Sequence, residues 1–302
     1  MTDSVRVGTR RSRLARRQTG IVLDRLRRSA PDRRFRTVPI ETSGDRDRRP
    51  GVAPDFTDAI DRALRRGELD LAVHSAKDLP VELDPSLCLA ACPPRADPRD
   101  CLVLPLRPRS SALARGARVG SSSLRRRAQL LRWRPDLEVV EVRGNVDTRI
   151  GLVRSGRVDA VILAVAGLQR LGRGAEAGPR LPLSRFLPAP AQGALAVVTR
   201  AGDDELGRLA GRIDHAPTRA RVTAERAFAA ALGGDCRVPL GALASVRGPT
   251  VALVGEVLSP DGRTSLRRVR SGLRTSADGL GARLGREMLD AGALDLLASA
   301  RR

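Results

Sequence analysis

The sequence has no tyrosine, one tryptophan and four phenylalanines, so aromatic residues make up only 2% of its 302 positions. Proteins that read unpaired bases stack them on aromatic rings, and this chain has few to offer. Its two histidines, His74 and His215, stand far apart, and its four cysteines, at 88, 92, 101 and 236, form no CxxC pair. That spacing does not suit zinc, and a disulfide framework is not expected in a chain of this length in a reducing compartment. Each cysteine is therefore a buried apolar filler or a reactive thiol. No run reaches the roughly 18 consecutive apolar residues of a membrane span. Met1 to Thr9 lacks the charged-then-apolar order of a secretory signal, so a cytoplasmic location away from membranes is expected.

Lysine is nearly missing as well. Lysine and arginine together number 55, yet Lys77 is the single lysine. The net charge of +21 raises the possibility of a nucleic-acid partner, but the arginines are dispersed and no DNA- or RNA-binding signature appears, so none is expected. Where any cation will serve, this chain uses Arg. A position that keeps a compact, flexible ammonium is a candidate for a specific task.

What is present reads as alternating strands and helices. An apolar-alternating strand at 4–9 leads to Ser12, which caps a helix carrying Leu14, Ile21, Val22 and Leu26. Strands follow at 37–42, 69–76 and 87–92, with a helix at 56–66 stopped by Gly67. After a proline-rich stretch, strands near 101–105, 118–120, 137–142 and 158–165 alternate with helices near 123–133 and 146–155. The apolar run Ala194 to Val198 reads as a strand returning to the first unit. Then come a helix at 217–232, strands at 238–246, 250–258 and 264–270, and a closing helix at 276–299. The expected division is an α/β domain from 1–93 with 194–212, a second from 99–188, and a C-terminal α+β domain from 216–302.

Four segments bear chemistry. LDLAVHSAKDLP at 69–80 runs from a strand into a polar end, which places Lys77 and Asp78 at the carboxyl edge where open α/β sheets bind ligands. GSSSLRRR at 120–127 combines hydroxyls, a helix N-terminus and guanidinium groups, all suited to carboxylates or phosphates. Arg125 and Arg126 are better placed than Arg127, because adjacent helical residues cannot all face one ligand. RGNVDTR at 143–149 again sets arginines at a strand end and a helix start, and Arg10 and Arg170 add further cations for one cleft. AALGGDCRVPLG at 230–241 offers Cys236 on a glycine-rich turn, as a nucleophilic thiol or as a buried strand residue.

Taken in order, TRRSRLA at 9–15, AVHSAKDLP at 72–80, DPRD at 97–100, GSSSLRRR, RGNVDTR, ILAVAGLQRLG at 162–172, RVTAERA at 221–227 and GGDCRVPLG at 233–241 resemble the porphobilinogen deaminase (hydroxymethylbilane synthase) family over nearly the whole chain. The resemblance implies two periplasmic-binding-protein-like α/β domains flanking a cleft, with a third domain whose Cys236 carries a covalent dipyrromethane cofactor. It implies a cytoplasmic monomeric transferase that condenses four porphobilinogen molecules head to tail into hydroxymethylbilane, releasing ammonia, without a metal. Asp78 would be the catalytic carboxylate. Lys77, Ser75, Ser121, Ser123, Arg125 and Arg126 would hold the cofactor, and Arg10, Ser12, Arg143, Arg149 and Arg170 the substrate's acetate and propionate groups.

The chain departs from the family's usual pattern in four places. RDRRPGVAPDF at 46–56 replaces a GGKG-like lid before Phe56, Ala191 replaces a glycine, Ala76 a larger Met or Leu, and Asp147 a glycine, bringing negative charge toward Arg143 and Arg149. A divergent deaminase-like paralogue and a non-catalytic binder of an anionic small molecule are the competing readings.

Overall fold

The computed structural model describes residues 4–46, 56–105, 113–233 and 238–301. Most of the 46–56 lid, and the turn bearing Cys236, lie outside the described residues.

Strand β1 (Val5–Arg10) leads into helix α1 (Arg13–Ser29), and the Ser12 hydroxyl caps that helix by accepting from the Ala15 amide at 3.2 Å. The helix lays Val22, Leu23 and Leu26 on Val5, Val7 and Leu71. β2 (Phe35–Ile40), α2 (Ser43–Arg46), α3 (Asp58–Arg65), β3 (Leu71–Ser75) and β4 (Leu87–Ala91) follow. A second series comprises β5 (Asp100–Val103), β6 (Arg118–Gly120), α4 (Leu124–Trp133), β7 (Glu138–Val140), α5 (Val146–Arg154), β8 (Ala160–Ala164) and α6 (Val165–Arg170). β9 (Leu195–Arg200) then inserts between β3 and β4 of the first sheet. The first sheet has the order β2-β1-β3-β9-β4 and the second β5-β8-β6-β7. In each, the parallel strands are joined through helices, and the inner strands β3 and β8 are nearly continuously apolar because both faces are covered.

Helices α7 (Asp204–Gly211) and α8 (Ala216–Ala231) precede an antiparallel meander of β10 (Leu240–Arg247), β11 (Thr250–Leu258) and β12 (Ser265–Leu273). Helix α9 (Ala277–Met288) crosses α8 at short range, because Gly281 would place a Cβ only 2.2 Å from the Ala224 carbonyl oxygen. The closing helix expected at 276–299 is two helices. Gly292, at φ 91°, breaks the run before α10 (Leu294–Arg301). Strand β2 starts two residues earlier than expected, and α6 was not anticipated, since Ala164 at its N-cap supplies no capping side chain to mark a helix start.

Three of these parts meet at one buried carboxylate. Glu225 on α8 is fully buried and accepts both arms of the Arg95 guanidinium, at 2.6 and 3.0 Å. It also accepts the amides of Ala191 (2.6 Å) and Ala244 (2.7 Å), so the two segments that cross between the sheets are tied to β10. Ala191 is bent to φ 60°, the left-handed region that glycine adopts without penalty, which accounts for glycine being usual there. Removing one member of such a pair leaves the other charge buried and uncompensated. Glu225→Gln is therefore expected to lower unfolding free energy by about 3–5 kcal/mol in a denaturant titration, and a loss below about 1 kcal/mol would show that the pair is dispensable.

Candidate active site

Strands β1 and β3 run parallel, with Val7 opposite Leu71 and Gly8 opposite Ala72, so their carboxyl ends open on the same edge of the sheet. Arg10 emerges there from β1. β3 delivers Ser75 and passes into a short 3-10 turn, Ala76–Asp78. Ser75 is oriented by accepting from the Gln18 amide at 2.8 Å, and Arg10 lies over the Phe56 ring at 3.8 Å. His74, one residue earlier, is pushed down to about 4 by burial, with the Arg10 charge adding to the effect, so this imidazole is neutral.

Across from this edge, α4 presents Arg125 and Arg126. Both are buried, and both bind Asp100 at the start of β5, Arg125 at 2.9 Å and Arg126 at 2.7 Å. Arg125 also donates to the Leu187 carbonyl at 2.5 Å, and Arg126 to that of Ile162 at 3.0 Å. Burial alone would raise the Asp100 pKa, but the two guanidinium groups override it and hold the carboxyl well below the usual carboxylate range. The Nε atoms of both arginines remain buried without a hydrogen-bond partner. Lys77 belongs to the same cluster. Burial lowers its pKa, Asp78 and Asp100 oppose that, and Arg126 and Arg125 reinforce it.

The remaining sequence-derived candidates divide by what holds them. Ser121 and Ser123 shape the start of α4: the Ser121 hydroxyl accepts the Ser123 amide at 3.2 Å, and the Ser123 hydroxyl caps the helix at the Arg126 amide at 3.4 Å. Arg149 donates to the Gly144 carbonyl at 3.0 Å and the Ser122 hydroxyl at 3.1 Å, and Arg170 to the Gly193 carbonyl at 2.6 Å. Burial lowers each of these two guanidinium groups to about 10, with Arg126 adding to the effect on Arg149. Neither has its charge cancelled by those neutral partners. Arg143 is held differently, by Glu141 at 2.8 Å. Ser12 serves as the α1 cap.

Asp147, expected to bring negative charge toward Arg143 and Arg149, has a cation partner of its own. It is paired with Arg173, which also binds Glu176 at 2.6 Å. Sequence reading also missed Asp100 and Gln192. DPRD and AQG are visible as motifs, but nothing local says that Asp100 pairs with Arg125 and Arg126, or that Gln192 lies beside Lys77 at 3.5 Å. Cys92 and Cys101 are fillers: both are buried, and burial pushes their thiols up to about 12.

The chain matches two family descriptions, "Porphobilinogen deaminase, dipyromethane cofactor binding domain" over residues 5–208 and "Porphobilinogen deaminase, C-terminal domain" over 219–290. It is 47% identical to the porphobilinogen deaminase of Roseiflexus castenholzii, over 99% of this chain and 100% of that one. It is 43% identical to the protein of the same name from Thermus thermophilus, over 98% of each. Among solved structures it is similar to the probable amino-acid ABC transporter extracellular-binding protein YtmK from Bacillus subtilis, with a TM-score of 0.42 and 11% identity over 70% of this chain and 90% of that one. At this identity over nearly its full length, the chain belongs to the porphobilinogen deaminase family.

Proposed function

We propose that this protein is a hydroxymethylbilane synthase: it removes ammonia from porphobilinogen and joins four units head to tail on a dipyrromethane held by Cys236. The observation that carries this reading is the meeting of Lys77 and Asp78, at the carboxyl edge of β3, with the buried Arg125 and Arg126 pair of α4. A ligand carrying several carboxylates needs such a set of donors. The unpartnered Nε–H groups of both arginines are buried donors of the right sign, which supports the fit of these residues to the cofactor.

Lys77, Arg125, Arg126, Ser75, Ser121 and Ser123 would hold the cofactor's acidic side chains. Bound there, the dipyrromethane supplies the pyrrole carbon that is extended. Asp78 supplies a fixed negative charge where positive charge develops as the aminomethyl group loses ammonia, and a carboxylate already in place lowers that barrier without reorganising solvent. Arg10, Arg149 and Arg170 would orient the incoming unit by its acetate and propionate, with Arg143 adding charge at the rim and Ser12 a hydroxyl. Arg149 and Arg170 are suited to this because neutral oxygens hold them and leave their charge available. A cytoplasmic, monomeric enzyme acting on a small molecule is part of this proposal; no helix among the described residues is long and apolar enough to cross a membrane.

The intact mass of purified protein tests the class directly: a dipyrromethane adduct is expected, and Cys236→Ser should fold but lack it, because a hydroxyl is a far weaker nucleophile than a thiolate. An adduct that survives in Cys236→Ser would move the anchor elsewhere. Asp78→Asn should keep the adduct and lose turnover by about 100-fold or more, since the amide carries no charge to stabilise the departing step; hydroxymethylbilane formation at near-normal rate would remove Asp78 from the mechanism. Lys77→Arg should impair cofactor assembly or elongation, as a planar guanidinium replaces a compact ammonium beside Asp78. Full adduct with unchanged substrate consumption in that variant would make the lone lysine an accident of composition.

A further inference from the structure

Gln192 occupies the turn before β9, almost fully buried, and it is fastened at both ends. Its backbone amide donates to the Ala189 carbonyl at 2.9 Å, and its backbone carbonyl accepts from Arg95 Nε at 2.8 Å. Its side-chain nitrogen donates to two oxygens at once, the Pro98 carbonyl at 2.7 Å and Asp100 Oδ1 at 3.0 Å. Carbonyl and carboxylate oxygens only accept, so they require the nitrogen of the amide on their side. The side-chain oxygen is thereby turned the other way, and Lys77 Nζ lies 3.5 Å from it. That is the long end of a hydrogen bond, but it sets a neutral acceptor beside the ammonium in a place otherwise ringed by charge. Asp78 faces Lys77 from its own turn, Arg125 and Arg126 from α4, and Asp100 from β5.

We infer that Gln192 is a positioning residue for Lys77: locked by Asp100 and Pro98, it presents one oxygen that holds the ammonium at the carboxyl edge of β3, between Asp78 and the Arg125 and Arg126 pair. The consequence for cofactor binding rests on the function proposed above; the placement of the ammonium does not. Gln192 spans the two α/β sheets, since it precedes β9 of the first and bonds Asp100 of the second. Lys77 on one side and Arg125 and Arg126 on the other are thus held at a set separation, which a ligand touching both must match.

A chain with one lysine allows a direct test. Purified full-length protein is treated with acetic anhydride from neutral to alkaline pH, and acetylation of Lys77 is followed by peptide mass, separately from the α-amine. Gln192→Met removes the acceptor at similar length, so burial acts on the ammonium with less opposition. The pH midpoint of acetylation should fall by about half a unit, which is roughly a threefold faster reaction near neutral pH. Gln192→Glu needs a proton on the oxygen that faces Pro98 and Asp100, since only a donor fits there, and its other oxygen still accepts from Lys77, so the midpoint should stay at or above the wild-type value. Simple loosening of the turn would speed both variants without moving their midpoints apart. An unchanged midpoint in Gln192→Met, or shifts of the same sign in both variants, would overturn the inference. Asp100 keeps both arginines in each variant, so the fold is expected to survive, as thermal unfolding will show. Rates are compared only between molecules carrying the same adduct mass. Wild-type protein without any adduct would refute the proposed function and leave the acetylation comparison intact.

Discussion

The carboxylate of Asp100 is the constraint on which the site depends. Two guanidinium groups on adjacent helical residues repel each other, and burying either alone carries a penalty of several kcal/mol. One carboxylate accepting from both, at 2.9 and 2.7 Å, makes the burial tolerable and settles which way α4 points its first turn. The Leu187 and Ile162 carbonyls complete the cradle, so the helix is registered against β8 and against the segment that returns to the first sheet. With one acid shared between two bases, the cluster keeps a net positive charge. Lys77 feels both signs, and burial tips it toward the neutral form.

Glu225 does a similar task at the crossing between the sheets, with Arg95 and two backbone amides as its donors. The chain has 34 acidic residues against 55 basic ones, so acids are the scarcer partner and their positions decide which arginines are neutralised. Arginines bound to Asp100 and Glu225 are structural as well as electrostatic. Arg149 and Arg170 are treated differently: they rest on neutral oxygens, which leave their charge uncancelled. Asp147 illustrates the same economy, since it is paired with Arg173.

Local features were legible because their physics is local. Ser12 was readable as a cap before its helical run, and its hydroxyl accepts the backbone amide three residues on, as the side chains of Ser123 and Asn145 do at the starts of α4 and α5. The alternation of apolar strands and amphipathic helices gave the α/β class, and the polar end of β3 pointed to Lys77 and Asp78. The features that were missed are those without a clear local marker: α6 has an alanine at its N-cap, and the closing helix breaks at Gly292, a residue that a helix interior tolerates at modest cost.

The sequence by itself determined the element types, the caps, the family resemblance and the residues capable of binding an anion, because each depends on side-chain chemistry or on spacings of a few residues. Only the tertiary structure decided which charges cancel. Asp100 lies 25 positions from Arg125 and 92 from Gln192, and Arg95 lies 130 from Glu225. No periodicity spans such distances. In a chain this rich in arginine, many guanidinium groups were eligible for each carboxylate, and the choice was made by the packing of three sheets and their helices.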